Sequence, residues 1–297
     1  MILEYNGHKV DYFQKILLDN YLNNDGTPIR KLGLWLSGGT DSAFCLWYLA
    51  KCISENSLYE FEIQPIHGHD SARTRVDSRK PTMDVYNYVV DEYPDVTIHT
   101  PHIYSYYKDP KDSNKGQYHD PVRDQLKSEG KIDIVITCMT KNPPVEEIEG
   151  GLLTKRDPAR DDPYETFLKE KSRGQHPEHK TFFEKHRPFN LIDKKFLAHF
   201  YQVYGLSDLF KLTASCTSGY PRDEEKPIPC QECWWCLEKY WAFEMYDFGV
   251  RRLDESEFWR IRTNPALEET FVEGKKRKIT LEDYVENSDT KWYLKMK

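Results

Sequence analysis

Two groups of residues in this chain combine types and spacing suited to chemistry. The first is Ser37-Gly38-Gly39-Thr40-Asp41-Ser42, set between the apolar run Leu32 to Leu36 and the segment Ala43 to Ala50. That order reads as strand, glycine turn, helix. Adjacent glycines let the backbone turn sharply and approach a ligand with no Cβ in the way. With the hydroxyls of Ser37, Thr40 and Ser42 and the N–H groups of the new helix, the turn is suited to cradle phosphate. The same residues also suit an ordinary turn in which Ser or Asp caps the helix. A Walker A loop is ruled out, because it needs a lysine and wider glycine spacing.

The second group is Cys216 with the run Cys230-x2-Cys233-x2-Cys236. Four thiolates satisfy tetrahedral zinc, and such a run can wrap three of them around one ion as a helix begins. Gly219, Pro221, Pro227 and Pro229 mark the intervening stretch as a loop that brings Cys216 alongside. An iron–sulfur cluster accepts the same ligands. With four thiolates the site has no open position, so its expected role is structural. Cys45, Cys52 and Cys138 lie in apolar contexts and read as core. The aromatic residues that follow (Trp234, Trp235, Tyr240, Trp241, Phe243, Tyr246, Phe248) suit the core of a metal-stapled unit, or else a surface for stacking a base.

The elements that must position these groups alternate. Residues 8–22 are predicted helical through His8, Val10, Phe13, Ile16, Leu17 and Tyr21. The first strand and its helix carry the glycine turn. Phe61 to Ile66 is a second strand leading into the polar segment His67-Gly68-His69-Asp70-Ser71, and Thr82 to Tyr93 a helix with Met83, Tyr86, Val89 and Val90 inward. Val96 to His99 is a third strand that Pro101 interrupts. Asp133 to Cys138 is a buried fourth strand, and Asp193 to Gly205 a helix with Asp193 as cap and Phe196, Leu197, Phe200 and Tyr204 on one face.

Strands alternating with helices predict an α/β fold, a parallel sheet covered on both faces. Ligands of such sheets lie beyond the carboxyl ends of the strands. Ser37 to Ser42, His67 to Ser71 and Thr140 to Pro144 are therefore expected on one rim. Residues 140–188 lack apolar periodicity and read as an insertion over the surface, a lid or a solvated excursion. The expected division is an α/β domain carrying the glycine turn over 1–212 and a metal-binding helical subdomain over 213–297.

The 297 residues carry 42 Lys plus Arg against 49 Asp plus Glu, a net charge of −7. No global basic field exists to grip nucleic acid. Lys155, Arg156, Arg160, Lys169, Lys171 and Arg173 can meet phosphates, but acidic residues interleave with them and argue against a nucleic-acid patch. Seven cysteines with neither a signal-like nor a membrane-spanning stretch suggest a reducing, cytoplasmic setting.

The Ser-Gly-Gly-Thr-Asp-Ser string after a first strand resembles the SGGxDS signature of the PP-loop (N-type) ATP pyrophosphatases. Together with the cysteine pattern, and with Leu212-Thr213-Ala214-Ser215-Cys216 leading into it, the chain is similar to the 7-cyano-7-deazaguanine synthase branch over residues 30–100 and 188–249. The resemblance implies a Rossmann-like fold of the adenine nucleotide α-hydrolase (HUP) type with a C-terminal zinc module. It implies an ATP-dependent ligase that activates the carboxylate of 7-carboxy-7-deazaguanine as an adenylate and uses ammonia to reach the nitrile, in queuosine biosynthesis. ATP, Mg2+ and Zn2+ are the implied cofactors, and a homodimer the implied assembly. Ser37, Gly38, Gly39, Thr40, Asp41, Ser42 and His67 would bind nucleotide, Asp41 and Ser37 would take part in catalysis, and Cys216, Cys230, Cys233 and Cys236 would hold the metal. Two other readings stay open. One is a PP-loop tRNA thiolase that adenylates a nucleobase carbonyl and carries sulfur on Cys138. The other is a degenerate nucleotide-binding zinc protein without catalysis.

Overall fold

The structure is a computed structural model. It describes residues 1–19, 22, 26–70, 78–106, 116–144, 147, 160, 187–216, 229, 231 and 233–250, and the backbone of four strands between 270 and 294. The chain opens with a hairpin of β1 (Leu3–Tyr5) and β2 (His8–Val10), followed by the short helix α1 (Tyr12–Leu18). The predicted helix over 8–22 is thus corrected at its start. Asn6 (φ 49°) and Gly7 (φ 74°) form the two-residue turn, and Asn-Gly is a strong hairpin signal that outweighs a helical reading of His8 and Val10.

The central sheet is parallel. It contains β3 (Lys31–Trp35), β4 (Glu62–Asp70), β5 (Thr97–Ile98), β6 (His102–Tyr106) and β7 (Ile134–Ile136). β3 lies between β4 and β7, with Trp35 opposite Ile66 and Leu34 opposite Ile136. β5 and β6 follow one another along the other edge of β4. Pro101 breaks that edge strand as expected, since it offers no N–H to the ladder. At the break the Gln64 side chain donates to the carbonyls of Thr100 and Pro65, both at 3.0 Å.

β4 runs on through His67 to Asp70, which the sequence suggested as a polar rim segment. Pairing with β6 extends it, and Gly68 makes room: a Cβ there would meet the Tyr104 hydroxyl at 2.8 Å. The successive β-strands are joined through α2 (Thr40–Glu55), α3 (Arg79–Glu92) and α4 (Gly116–Ser128). Taken in chain order the strands lie 3-2-1-4, so the connections leave in opposite directions on either side of β3. That makes the gap beyond β3 and β7 the switch point of the sheet, where ligands bind.

Side chains alternate across the sheet. Leu32, Leu34, Ile63, Ile134 and Ile136 join the main core with α1, α2, Val85 and Val89 of α3, and α5 (Lys194–Val203). Trp35, Ile66 and Val135 face the other way, against Val122 and Leu126 of α4. The sheet is therefore covered on both faces, as the alternating pattern predicted. α2 is buried from Ala43 through Ala50, which explains why it is apolar all round rather than on one stripe.

α3 starts three residues earlier than predicted and turns Thr82, Val85 and Val89 inward, leaving Met83 and Val90 half-buried. Asp193 caps α5 as predicted, accepting from the Phe196 N–H at 3.1 Å, and Gly205 (φ 68°) follows its end. Beyond it lie α6 (Ser207–Lys211) and α7 (Trp234–Phe243). The reading of the aromatics as a small core holds for Tyr240, Tyr246 and Phe248, which cluster with Cys216, Cys233 and Cys236, but not for the rest of α7. Its fully buried residues are Cys236, Glu238 and Lys239, while Trp235 is 37% exposed. Phe243 and Met245 pack on the main core across the expected 212/213 boundary. Four strands, β8 (Thr270–Val272), β9 (Lys275–Arg277), β10 (Tyr284–Asn287) and β11 (Lys291–Leu294), form two antiparallel hairpins. Most of the 140–188 insertion lies outside the described residues. Among the described residues, no helix is long and apolar enough to cross a membrane.

Candidate functional site

The glycine turn sits at the carboxyl end of β3, and every part of it is held by the chain around it. Gly38 has φ +75°, and a Cβ there would lie 3.0 Å from the Thr82 amide, so the position admits glycine alone without strain. Ser42 Oγ donates to the Gly39 carbonyl (3.1 Å) and accepts from the Ser37 amide (3.2 Å). Ser37 Oγ lies 3.1 Å from Ser42 Oγ and accepts from the Gly39 amide at 3.3 Å. Thr40 Oγ1 donates to Asp41 Oδ1 at 3.1 Å. The hydroxyls proposed as phosphate donors thus shape the turn itself.

What the turn presents is backbone. Gly39 is the N-cap of α2 and supplies no side-chain cap, which leaves the first-turn amides of Thr40, Asp41 and Ser42 without an intrahelical partner. Those amides, reinforced by the helix dipole, form an anion site.

His67, expected on the rim, is 3% exposed and supports the turn from inside. Its Nδ1 lies 2.9 Å from the Leu36 carbonyl and its Nε2 3.0 Å from Ser78 Oγ. Thr82 Oγ1 sits 3.0 Å from the same Nδ1. Ligand contact through His67 does not fit this placement. Ser71 lies outside the described residues.

Asp41 is the centre of a network that sequence reasoning missed in part. Lys194 Nζ, at the first position of α5, donates to Asp41 Oδ1 at 2.8 Å, and Thr140 Oγ1 donates to Asp41 Oδ2 at 3.2 Å. Thr140 follows β7, so the predicted convergence of the first and fourth strand ends does occur. Lys194 also faces Glu238 Oε2 at 3.4 Å, and Glu238 pairs with Arg160. Arg160 further donates from Nε to the Thr140 carbonyl (2.7 Å) and from Nη2 to Thr140 Oγ1 (3.2 Å). Arg160 is 2% exposed and Glu238 is fully buried, which makes this a largely buried set of two anions and two cations. Burial works against the Lys194 charge, yet Asp41 and Glu238 together outweigh it and hold its pKa above the ordinary lysine value.

A sequence signal for Lys194 existed. A lysine at the first turn of a helix opposes the helix dipole and calls for another partner. Lys155, Arg156, Lys169, Lys171 and Arg173, grouped with Arg160 from sequence, lie outside the described residues.

The cysteine group lies beside this network. The Sγ atoms of Cys216, Cys233 and Cys236 all lie within 4.8 Å of one another, with Cys216 and Cys236 buried beside Tyr246. Tetrahedral zinc at about 2.3 Å from each sulfur places thiolates roughly 3.8 Å apart, so the donor set fits such an ion. Cys230 lies outside the described residues. The limb carrying Cys216 is tied to the glycine turn, because the Ala214 amide donates to the Gly38 carbonyl at 2.8 Å. Asp247 accepts the amides of Ser215 (2.7 Å) and Cys216 (2.6 Å) and pairs with Lys239 at 2.6 Å. Elsewhere, Cys138 packs beside Cys45, and burial pushes its thiol well above the ordinary range.

No family model matches the chain, and no curated protein matches it. Among the solved structures that bear a distant likeness to it are two enzymes. A U34-tRNA thiolase, NcsA, from Methanococcus maripaludis, solved with its [4Fe-4S] cluster, aligns at 14% identity and a TM-score of 0.38 over 66% of this chain. This chain spans 62% of that thiolase's length. An NMN synthetase from Francisella tularensis aligns at 11% identity and a TM-score of 0.29, over 85% of this chain and 90% of that one. Both likenesses are below the level at which function passes from one protein to another.

Proposed function

We propose that this chain is an ATP-dependent adenylating enzyme of the PP-loop type, which splits ATP into AMP and pyrophosphate to activate an acceptor oxygen. One observation carries the proposal: the Ser37–Ser42 string forms a glycine turn with bare helix amides, and beside it Asp41 hangs between Lys194 and Thr140. In this reading the triphosphate seats on the amides of Thr40, Asp41 and Ser42. Lys194, kept charged by two carboxylates, stabilises the negative charge of the departing pyrophosphate. Asp41 would hold Mg2+, since one carboxylate plus substrate phosphates is a usual magnesium site. The ion supplies further charge neutralisation. Cys216, Cys233 and Cys236, with Cys230, would hold zinc.

The finer proposal is a ligase of the 7-cyano-7-deazaguanine synthase type. A carboxylate oxygen of 7-carboxy-7-deazaguanine attacks the α-phosphorus, and the bond to the bridging oxygen breaks as pyrophosphate leaves. Ammonia then displaces AMP to give the amide and loses a proton. A second ATP activates the amide oxygen in the same way, and loss of AMP and a proton gives the nitrile. A cytoplasmic homodimer belongs to this proposal. Its substrate side departs from that family, because His67-Gly68-His69-Asp70 stands where a D-x-G-Q-x-H type segment is usual.

The test is pyrophosphate and AMP release from ATP and Mg2+ with 7-carboxy-7-deazaguanine and ammonium, against a blank lacking the acceptor. Acceptor-dependent release is expected. A folded chain that binds ATP but shows no acceptor-dependent release would overturn the nitrile synthase proposal.

A second reading, a thiolase-type enzyme, has one observation in its favour: the three clustered thiolates suit an iron–sulfur cluster as well as zinc. Cys138 gives it less support, because desolvation beside Cys45 raises its thiol pKa above the ordinary range. Metal analysis and the visible spectrum of protein purified without oxygen distinguish the two.

A further inference from the structure

The hydroxyls of the glycine turn are committed to one another, which leaves open what side chain meets a phosphate there. Ser37, Ser42 and Thr40 all direct their Oγ atoms into the turn or onto Asp41. Thr140 is taken by Asp41 and Arg160. One hydroxyl at the mouth of the turn is not committed. Ser215 Oγ makes no hydrogen bond among the described residues, and it lies 3.4 Å from the point a Cβ on Gly39 would occupy. Ser37 Oγ flanks that point at the same 3.4 Å.

Ser215 is also fixed in place. Its amide donates to Asp247, the next amide does the same, and the preceding amide, of Ala214, donates to Gly38. Asp247 is itself anchored by Lys239, which donates to Thr213 Oγ1 at 2.8 Å as well. A serine whose backbone is anchored through three consecutive amides beside the N-cap of an uncapped helix carries its hydroxyl at a fixed place for an anion on that helix.

We propose that Ser215 is a phosphate-contacting residue, its hydroxyl donating to the phosphate chain of a nucleotide seated on the α2 amides. The inference rests on the nucleotide reading above and extends it. The site is then assembled from both ends of the described fold, and the limb that bears Cys216 supplies part of it. A hydrogen bond to a charged oxygen contributes more than one between neutral groups.

The test is calorimetric titration of the full chain with α,β-methylene ATP plus Mg2+, and separately with adenosine. Ser215→Ala is expected to weaken the triphosphate analogue about tenfold. Adenosine affinity, metal content and melting temperature should stay as in the unaltered chain, and Ser215→Thr should keep most of the affinity. Equal binding of the analogue by Ser215→Ala and the unaltered chain would overturn the inference, and so would a loss shared equally by adenosine. Should the unaltered chain bind no analogue at all, the nucleotide reading falls and this inference with it.

Discussion

Glu238 and Lys239 are neighbours on α7, yet they serve two different buried charge networks. Glu238 faces Lys194 and Arg160, and through Lys194 reaches Asp41 at the glycine turn. Lys239 faces Asp247, which gathers the amides of the cysteine limb. The first network opens outward at Asp41, whose side chain is 14% exposed, whereas both members of the second are at 1%. The lysines differ in the same sense. Lys194 has two carboxylates, which overcome burial and hold its pKa up. Lys239 has one, and burial prevails, so its pKa is lowered. A charge kept available at a turn that a ligand can reach belongs to chemistry. A sealed pair that organises backbone amides belongs to architecture.

That contrast can be broken in several ways. The largest effect is expected for Asp41→Ala, with acceptor-dependent pyrophosphate release falling about 10^3-fold in a chain that still folds, at a lowered melting temperature because Lys194 loses its nearest carboxylate. Turnover at the original rate would remove Asp41 from the mechanism. Glu238→Ala leaves Arg160 a buried cation with no carboxylate and Lys194 with Asp41 alone, and should cost about 3 kcal/mol in urea unfolding. A cost near zero would mean that water reaches Arg160 and Glu238 and that this end of the network is not buried.

Cys233→Ser should shed metal and lower the melting temperature by about 5 °C, roughly 3 kcal/mol for a chain of this length. Normal melting with metal lost would show the thiolate site to be dispensable for the fold. The smallest effect concerns pH. Because the Lys194 pKa is raised on folding, its stabilising charge is fully present below the unfolded value of 10.5 and is lost as pH rises through the folded value. Stability in urea should therefore fall above pH 10.5 with an added slope, worth under about 1 kcal/mol per pH unit, that Lys194→Met lacks. Parallel slopes in the two proteins would show that Lys194 gains no charge stabilisation on folding.

Much of the sheet was legible because buried parallel strands read as apolar runs, and because Pro101 and Asp193 act locally. The cysteine spacing was legible for the same reason: metal geometry is written in short intervals. Three features were not. The Asn6–Gly7 turn was hidden by a plausible helical spacing of apolar residues. His67 looked like a rim ligand because a polar residue after a strand is usually exposed, and only the pairing of β4 with β6 carries it inward. Glu238 sat in an aromatic helix whose character suggested plain core, and its partners lie at 160 and 194. Partners so far apart in sequence leave no local pattern, and only the fold brings them together.

The tie between the glycine turn and the far end of the fold bears on how this protein is made. The Tyr201 hydroxyl donates to the Thr40 carbonyl across 161 positions, Lys194 reaches Asp41 across 153, and Ala214 closes on Gly38. On the ribosome the strands β3 to β7 emerge long before these groups do, so the sheet has time to pair while its working rim is still unfinished. The rim around the turn is among the last parts to close, because loops of that length must be ordered before their contacts reward it. A nascent chain stalled before residue 194 would hold the turn but neither its cation nor its clamp. The anion site at the turn would then be completed late in synthesis, as the cysteine limb folds back.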